Sequence, residues 1–89
     1  MVEIEFAKAF RRHVDCPGAQ VEGATVRAAL DAYFEVYPAV RSYVLDDAGA
    51  VRKHVAVFHD EDLILDRSHL SDAVADGDRL HVFQALSGG

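Results

Sequence analysis

The segment ADGDRLHVFQALSGG, Ala75–Gly89, decides the fold. Asp76-Gly77-Asp78 is the strongest tight-turn signal in the chain, because Gly accepts positive φ and Asp bonds to nearby backbone. Beyond it, Leu80 and Val82 alternate with His81 and Phe83, the period-two pattern of a strand with one buried face. The sequence then runs Ala85-Leu86-Ser87-Gly88-Gly89. At a usage of about 7% Gly, two closing glycines arise by chance in roughly 0.5% of chains, so a chemical reason is worth seeking. A terminal carboxylate, with a pKa of about 3.5, is ionised at neutral pH and is a poor acyl donor until a phosphate or adenylate activates it. Glycine lacks a Cβ, so a Gly-Gly end threads a narrow channel into another protein's nucleotide site. Five residues from Ala85 reach at most about 17 Å. The alternative is a frayed end or a scar, although no tag-like stretch accompanies the glycines.

Working back from this end, His54–His59 is rich in β-branched and aromatic residues and reads as a strand. Asp60-Glu61-Asp62 reads as an acidic turn, Leu63–Leu65 as a short strand and Ser68–Ala75 as one loose helical turn. Asp46–Gly49 is a further turn. Thr25 has the chemistry of a helix N-cap, and Val26, Leu30, Tyr33, Phe34 and Tyr37 form one apolar stripe opposite Arg27, Asp31 and Glu35. Pro38 is read as the stop, giving a helix over Thr25–Tyr37. Val2, Ile4 and Phe6 alternate with Glu3 and Glu5, and Asp15–Gly18 turns the chain into a second strand, Ala19–Glu22, hairpinned to the first. The expected core is Val2, Ile4, Phe6, Val26, Leu30, Phe34, Val55, Val57, Leu80 and Val82. This order suits one sheet with a helix across one face.

Length and charge narrow the function. Eighty-nine residues make one domain with one modest core, which excludes most enzymes with a deep, self-contained pocket. Nine Lys+Arg against fifteen Asp+Glu give a formal charge of −6, unfavourable for nucleic acid, which needs clustered cations. The basic runs, Arg11-Arg12 and Arg52-Lys53, are short. An acidic module is steered towards a basic partner surface. One cysteine, Cys16, permits no internal disulfide. MVEIEF lacks the pattern of a signal peptide, and no apolar run approaches the ~20 residues of a membrane span. These features lead us to expect a cytoplasmic protein with no membrane association.

The other chemistry-bearing residues give weaker signals. His54 and His59 are five apart on a strand, hence on opposite faces, and cannot chelate one ion together. No metal site is expected. Cys16 beside Pro17 shows no base to activate it and is read as inert. Asp46-Asp47 and Asp60-Glu61-Asp62 are read as solvated turn residues. No G-x-x-x-x-G-K loop is present, so ATP must be bound by a partner. Phe58, His81 and Phe83 either share the outer face of the sheet or, for one or both Phe, belong to the core. On the outer face they would be natural contacts for a partner.

A short acidic chain with this element order, a late Asp-Gly-Asp turn and a Gly-Gly end resembles the ubiquitin-like sulfur carriers of the ThiS/MoaD family, including the CysO type. The residues that carry the resemblance are Val55–Phe58, Asp60–Asp62, Ala75–Asp78 and Ala85–Gly89. It extends over essentially the whole chain and is most specific at the end. It implies an α+β, ubiquitin-like β-grasp with a mixed sheet of four to five strands and one main helix packed on one face. Residues 1–84 would form the β-grasp domain and residues 85–89 a flexible Gly-Gly tail. It also implies a carrier, not an enzyme: an E1-like adenylyltransferase of the MoeB/ThiF type uses ATP, with Mg, to adenylate the Gly89 carboxylate. Sulfur then replaces one oxygen to give a thiocarboxylate, which donates sulfur to a biosynthetic enzyme.

The destination would be molybdopterin, cysteine, thiazole or a secondary metabolite. For molybdopterin, the chain would be the small subunit of a two-protein synthase. Leu86, Ser87 and Gly88 would thread into the partner, and Phe58, His81 and Phe83 would form the interface, Phe83 lying where the molybdopterin type keeps an exposed aromatic. The chain alone would be a monomer without a bound cofactor. Gln84 stands where the family often has proline, and Ala56 and Asp60 where it often has asparagine. The same Gly89 acyl group could instead modify lysines, as in ubiquitin-like tagging. A third possibility is a β-grasp interaction module with an idle tail.

Overall fold

Alternation along three segments of the chain builds the centre of a sheet. The computed structural model describes residues 1–84. Strand β1, Val2–Phe6, buries Val2, Ile4 and Phe6 and turns Glu3 and Glu5 outwards. Strand β5, Arg79–Gln84, lies parallel to it and buries Leu80 and Val82. Strand β3, Val55–His59, is antiparallel to β5 and buries Val55 and Val57. Two short strands complete the edges: β2, Ala19–Val21, antiparallel to β1, and β4, Asp62–Leu63, antiparallel to β3. The order β2-β1-β5-β3-β4 makes a mixed five-stranded sheet, as expected. The Asp76-Gly77-Asp78 turn precedes β5, with Gly77 at φ 89°.

Helix α2, Val26–Val36, lies across the inner face. Thr25 caps it, its hydroxyl accepting the Ala28 N–H at 3.1 Å. Val26, Leu30, Tyr33 and Phe34 are buried along one stripe. Tyr33 also donates its hydroxyl to the Pro17 carbonyl at 2.7 Å, so its polar tip is satisfied inside the fold. A glycine is required just before the cap: a Cβ at Gly23 would stand 2.5 Å from the Ala29 nitrogen.

The structure corrects the sequence reading at several points, β2 among them, which stops at Val21 and not at Glu22. Pro38 ends α2 but also begins α3, Pro38–Val44, where it occupies the first turn. Its missing N–H costs nothing there and its fixed φ suits the helix. Helix α3 buries Val40 and Val44. A four-residue helix α1, Lys8–Arg11, buries Phe10 against the Phe6 ring, 5.8 Å away. The short strand expected over Leu63–Leu65 is Asp62–Leu63, and Leu65 is exposed. The strand expected from His54 begins at Val55.

Every residue of the expected core is buried, together with Tyr33, Val40, Leu45, Ile64, Leu70 and others in irregular segments. Among the described residues, no helix is long and apolar enough to cross a membrane.

The segment read as a loose helical turn is organised by two carboxylates, Asp72, which accepts the Leu65 and Asp66 N–H groups, and Asp66. Leu70 N–H reaches the Asp66 carbonyl at 2.9 Å, and Leu70 takes φ 55° to end the turn. The Asp66 side chain accepts from the N–H groups of Ser68 and His69 and from Ser71. The Ser71 hydroxyl bond, then the His69 N–H, holds its pKa down at about 2. A depressed carboxylate pKa contributes stability that is complete above the unfolded value of about 3.9 and is lost as pH falls through the folded value. In urea titrations between pH 6 and 2, Asp66→Asn is therefore expected to be less stable than the parent at pH 6. Its deficit should shrink below about pH 4 and be smallest near about pH 2. A deficit independent of pH would mean that the ionised carboxylate does not hold this turn.

Candidate functional site

The outer face of the sheet carries what the inner face does not need. With Leu80 and Val82 inwards, alternation sends Arg79, His81 and Phe83 outwards. Antiparallel register sets Phe58 opposite His81 and Ala56 opposite Phe83. The Phe58 and Phe83 rings meet edge to face, with centroids 5.4 Å apart. The His81 ring stacks on Phe83 at 4.3 Å. Both Phe residues therefore belong to the outer face and not to the core. Phe83 remains 37% exposed, while Phe58 and His81 are half-buried against it. With Asp60 and Glu61 they line an open groove of about 500 Å³. Leu63, opposite Phe58 in register, extends the apolar strip to the sheet edge and is 53% exposed.

An aromatic shelf of this kind is fit to receive an apolar side chain of a partner. Sequence reasoning named Phe58, His81 and Phe83. It did not place Leu63, or the acidic turn residues Asp60 and Glu61, beside them; the β3–β4 pairing that sets Leu63 opposite Phe58 does so.

On the β1 side the face turns ionic. Arg79 donates from Nε to Glu3 at 3.1 Å and lies 3.5 Å from Glu5. Near the start of β5, His59 Nε2 bonds to Asp78 Oδ2 at 2.7 Å. Asp78 also accepts the Ala75 N–H, and these two bonds, the backbone one first, lower its pKa. Asp60, at φ 55°, accepts the Arg79 N–H. His59, Asp60 and Asp78 place one nitrogen and two carboxylate oxygens within 4.8 Å of one another. Their bonds already tie the β3–β4 turn to the turn before β5, so the cluster is accounted for as a brace.

Cys16 is buried, and burial, the main cause, raises its thiol pKa. That works against a nucleophilic thiolate. Gln84, the last described residue, closes β5 opposite Val55. The expected acyl residue Gly89 and the threading residues Leu86, Ser87 and Gly88 lie outside the described residues.

Comparison with known proteins extends this picture. The ThiS family model matches residues 10–89. Small archaeal modifier protein 1 of Haloferax volcanii is 38% identical over 66 residues, which are 74% of this chain and 71% of that protein. The crystal structure of SAMP1 from Haloferax volcanii matches at 30% identity with a TM-score of 0.81, covering 99% of this chain and 98% of that one. A chain of the crystal structure of the Amycolatopsis orientalis BexX/CysO complex matches with a TM-score of 0.82 over 100% of both chains. At 21% identity, that likeness establishes the fold alone.

Proposed function

The chain belongs to the ThiS family, whose members are small ubiquitin-like carriers and modifiers, and on that footing we propose that it carries sulfur as a thiocarboxylate on Gly89. The observation that carries this reading is the extent of the family match. It runs through Gly88 and Gly89, directly beyond the strand that bears the aromatic shelf.

The chemistry is an acyl activation. A Gly89 carboxylate oxygen attacks the α-phosphate of ATP on an E1-like adenylyltransferase, and pyrophosphate leaves with Mg. Sulfide sulfur then attacks the acyl carbon, AMP leaves, and a thiocarboxylate remains. The chain contributes the acyl group, a slim approach and a docking face, while the nucleotide site belongs to the partner. Phe58, His81 and Phe83 would seat that partner or the enzyme that accepts the sulfur. Synthesis of molybdopterin, cysteine, thiazole or a sulfur-containing secondary metabolite would use such a donor. In the molybdopterin case, the chain would be the small subunit of a synthase.

Intact mass spectrometry tests the proposal. Incubation with ATP, Mg, an E1-like adenylyltransferase from the host and sulfide is expected to add the mass of one oxygen-to-sulfur exchange, mapped to Gly89. Failure to form an adenylate with any E1-like enzyme of the host, together with unmodified carboxylate in protein isolated from it under sulfur demand, would overturn it. A second reading, conjugation of Gly89 to target lysines, is favoured by the 38% identical relative, itself named a modifier. Heavier adducts containing a Gly89–lysine isopeptide would establish that route.

A further inference from the structure

The net charge of −6 conceals two unlike ends. The basic runs Arg11-Arg12 and Arg52-Lys53 are some forty positions apart in sequence, yet the sheet brings the segments that carry them to the same end. Parallel pairing of β1 with β5 puts the end of β1 beside the end of β5, and the Ala7 N–H, one residue before α1, donates to the Val82 carbonyl at 2.8 Å. Antiparallel pairing sets Val55, directly after Lys53 and His54, opposite Gln84. A groove of about 210 Å³ at this end is lined by Phe10, His13, Tyr43 and Gln84.

Lys8, Arg11, Arg12 and Lys53 are all exposed, and among the described residues none of them is in an ion pair. The Arg52 guanidinium instead donates to the Ser42 carbonyl at 2.7 Å and holds its loop on α3. Asp15 is the acidic residue of these segments. The opposite end of the sheet, where β3 finishes and β5 starts, carries Asp60, Glu61, Asp62, Asp76 and Asp78.

We infer that the cations around the end of β5 form a docking collar for a protein surface rimmed with Asp and Glu, at the mouth of the channel that receives residues 85–89. The inference rests on the carrier reading, and a distance selects its occupant. Five residues reach at most about 17 Å, so with Gly89 at the nucleotide, side chains rooted at residues 8–12 and 53 would stand outside the nucleotide site. What those side chains meet is the rim. Whole-molecule charge favours a basic partner, but at a Debye length of about 8 Å an approaching surface responds to the nearest end.

Two measurements test the collar. The first needs no activating enzyme: the isotope-labelled full chain is titrated with an octa-glutamate peptide at low salt. Amide shifts are expected at residues 8–13, 53–55 and 84, abolished near 1 M salt, where the screening length is about 3 Å. They should also vanish in Arg11→Gln/Arg12→Gln/Lys53→Gln. No shifts, or shifts centred elsewhere, would overturn the collar. The second measures ATP–pyrophosphate exchange with the E1-like adenylyltransferase. Arg11→Glu/Arg12→Glu/Lys53→Glu is expected to raise the KM for this chain at least about tenfold with kcat unchanged, because docking and not chemistry is altered. Asp62→Lys/Asp76→Lys, at the far end and outside the lining of the aromatic shelf, should not raise it. Equal effects at both ends would overturn the collar. Absence of exchange with the unaltered chain would count against the carrier reading alone, leaving the peptide titration to decide the collar.

Discussion

Phe6→Ala is expected to remove about 3–5 kcal/mol of folding stability, the usual cost of deleting a buried ring and leaving a cavity. Phe6 is 2% exposed at the end of β1. Its ring lies 5.1 Å from Tyr33 of α2 and 5.8 Å from Phe10 of α1, so one side chain ties the central strand to two helices. Few neighbours can collapse into the space, because the Tyr33 hydroxyl is held by the Pro17 carbonyl. At 0.05–0.15 kcal/mol per residue, a domain of this size has roughly 4–13 kcal/mol in total, so the loss is a large share. Urea titration should show a lower midpoint at an unchanged slope, and the melting temperature should fall by more than about 12 °C. Phe6→Leu, which keeps most of the volume, should lose less. A loss under about 1 kcal/mol for Phe6→Ala would mean that this cluster is not the centre of the core.

Phe6 also marks what local pattern reveals. The chain alternates strictly from Val2 to Phe6 and from Arg79 to Val82, and a strand's period is short enough to be seen in four or five residues. The stripe of α2 spans three turns and was equally visible. Phe10 was not, since a four-residue helix cannot display a period. Val40 and Val44 do sit one helical turn apart, but Pro38 has two opposite meanings, stop and first turn, and only the first was read. Ile64 and Leu70 are buried from irregular segments where no period applies.

The candidate site divides in the same way. Alternation placed His81 and Phe83 on one face, but only the β3–β5 register set Phe58 opposite His81 and decided that both Phe rings face outwards. The gathering of Arg11-Arg12 and Lys53 depends on a parallel pairing between the first and last strands, which no local pattern encodes.

Removing Gly88 and Gly89 is expected to have the largest functional effect. The buried core is assembled among residues 1–84, which the truncation leaves intact, and changes away from such features usually alter stability by less than about 0.5 kcal/mol. The truncated chain should therefore melt within about 4 °C of the parent and keep its aromatic shelf and basic collar. Adenylation should nonetheless disappear. The new carboxylate, on Ser87, would stop about 7 Å short of the reach of Gly89, and a misplacement of even 1 Å can cost about a hundredfold in rate. Ser87 also carries a Cβ into a passage that two glycines would otherwise enter without side chains.

ATP–pyrophosphate exchange is the direct readout, with the truncated chain also added as a competitor of the parent. If the body docks through the shelf and the collar, the truncated chain should inhibit the parent's exchange while supporting none. That pattern separates binding, which residues 1–84 would supply, from chemistry, which Gly89 would supply. Sulfur transfer and lysine conjugation would both be lost, because both start from the same adenylate. A truncated chain with undiminished exchange would locate the acyl group elsewhere and sink both readings together. A binding module with an idle tail predicts a third pattern: the parent supports no exchange, and both forms keep the same partner affinity.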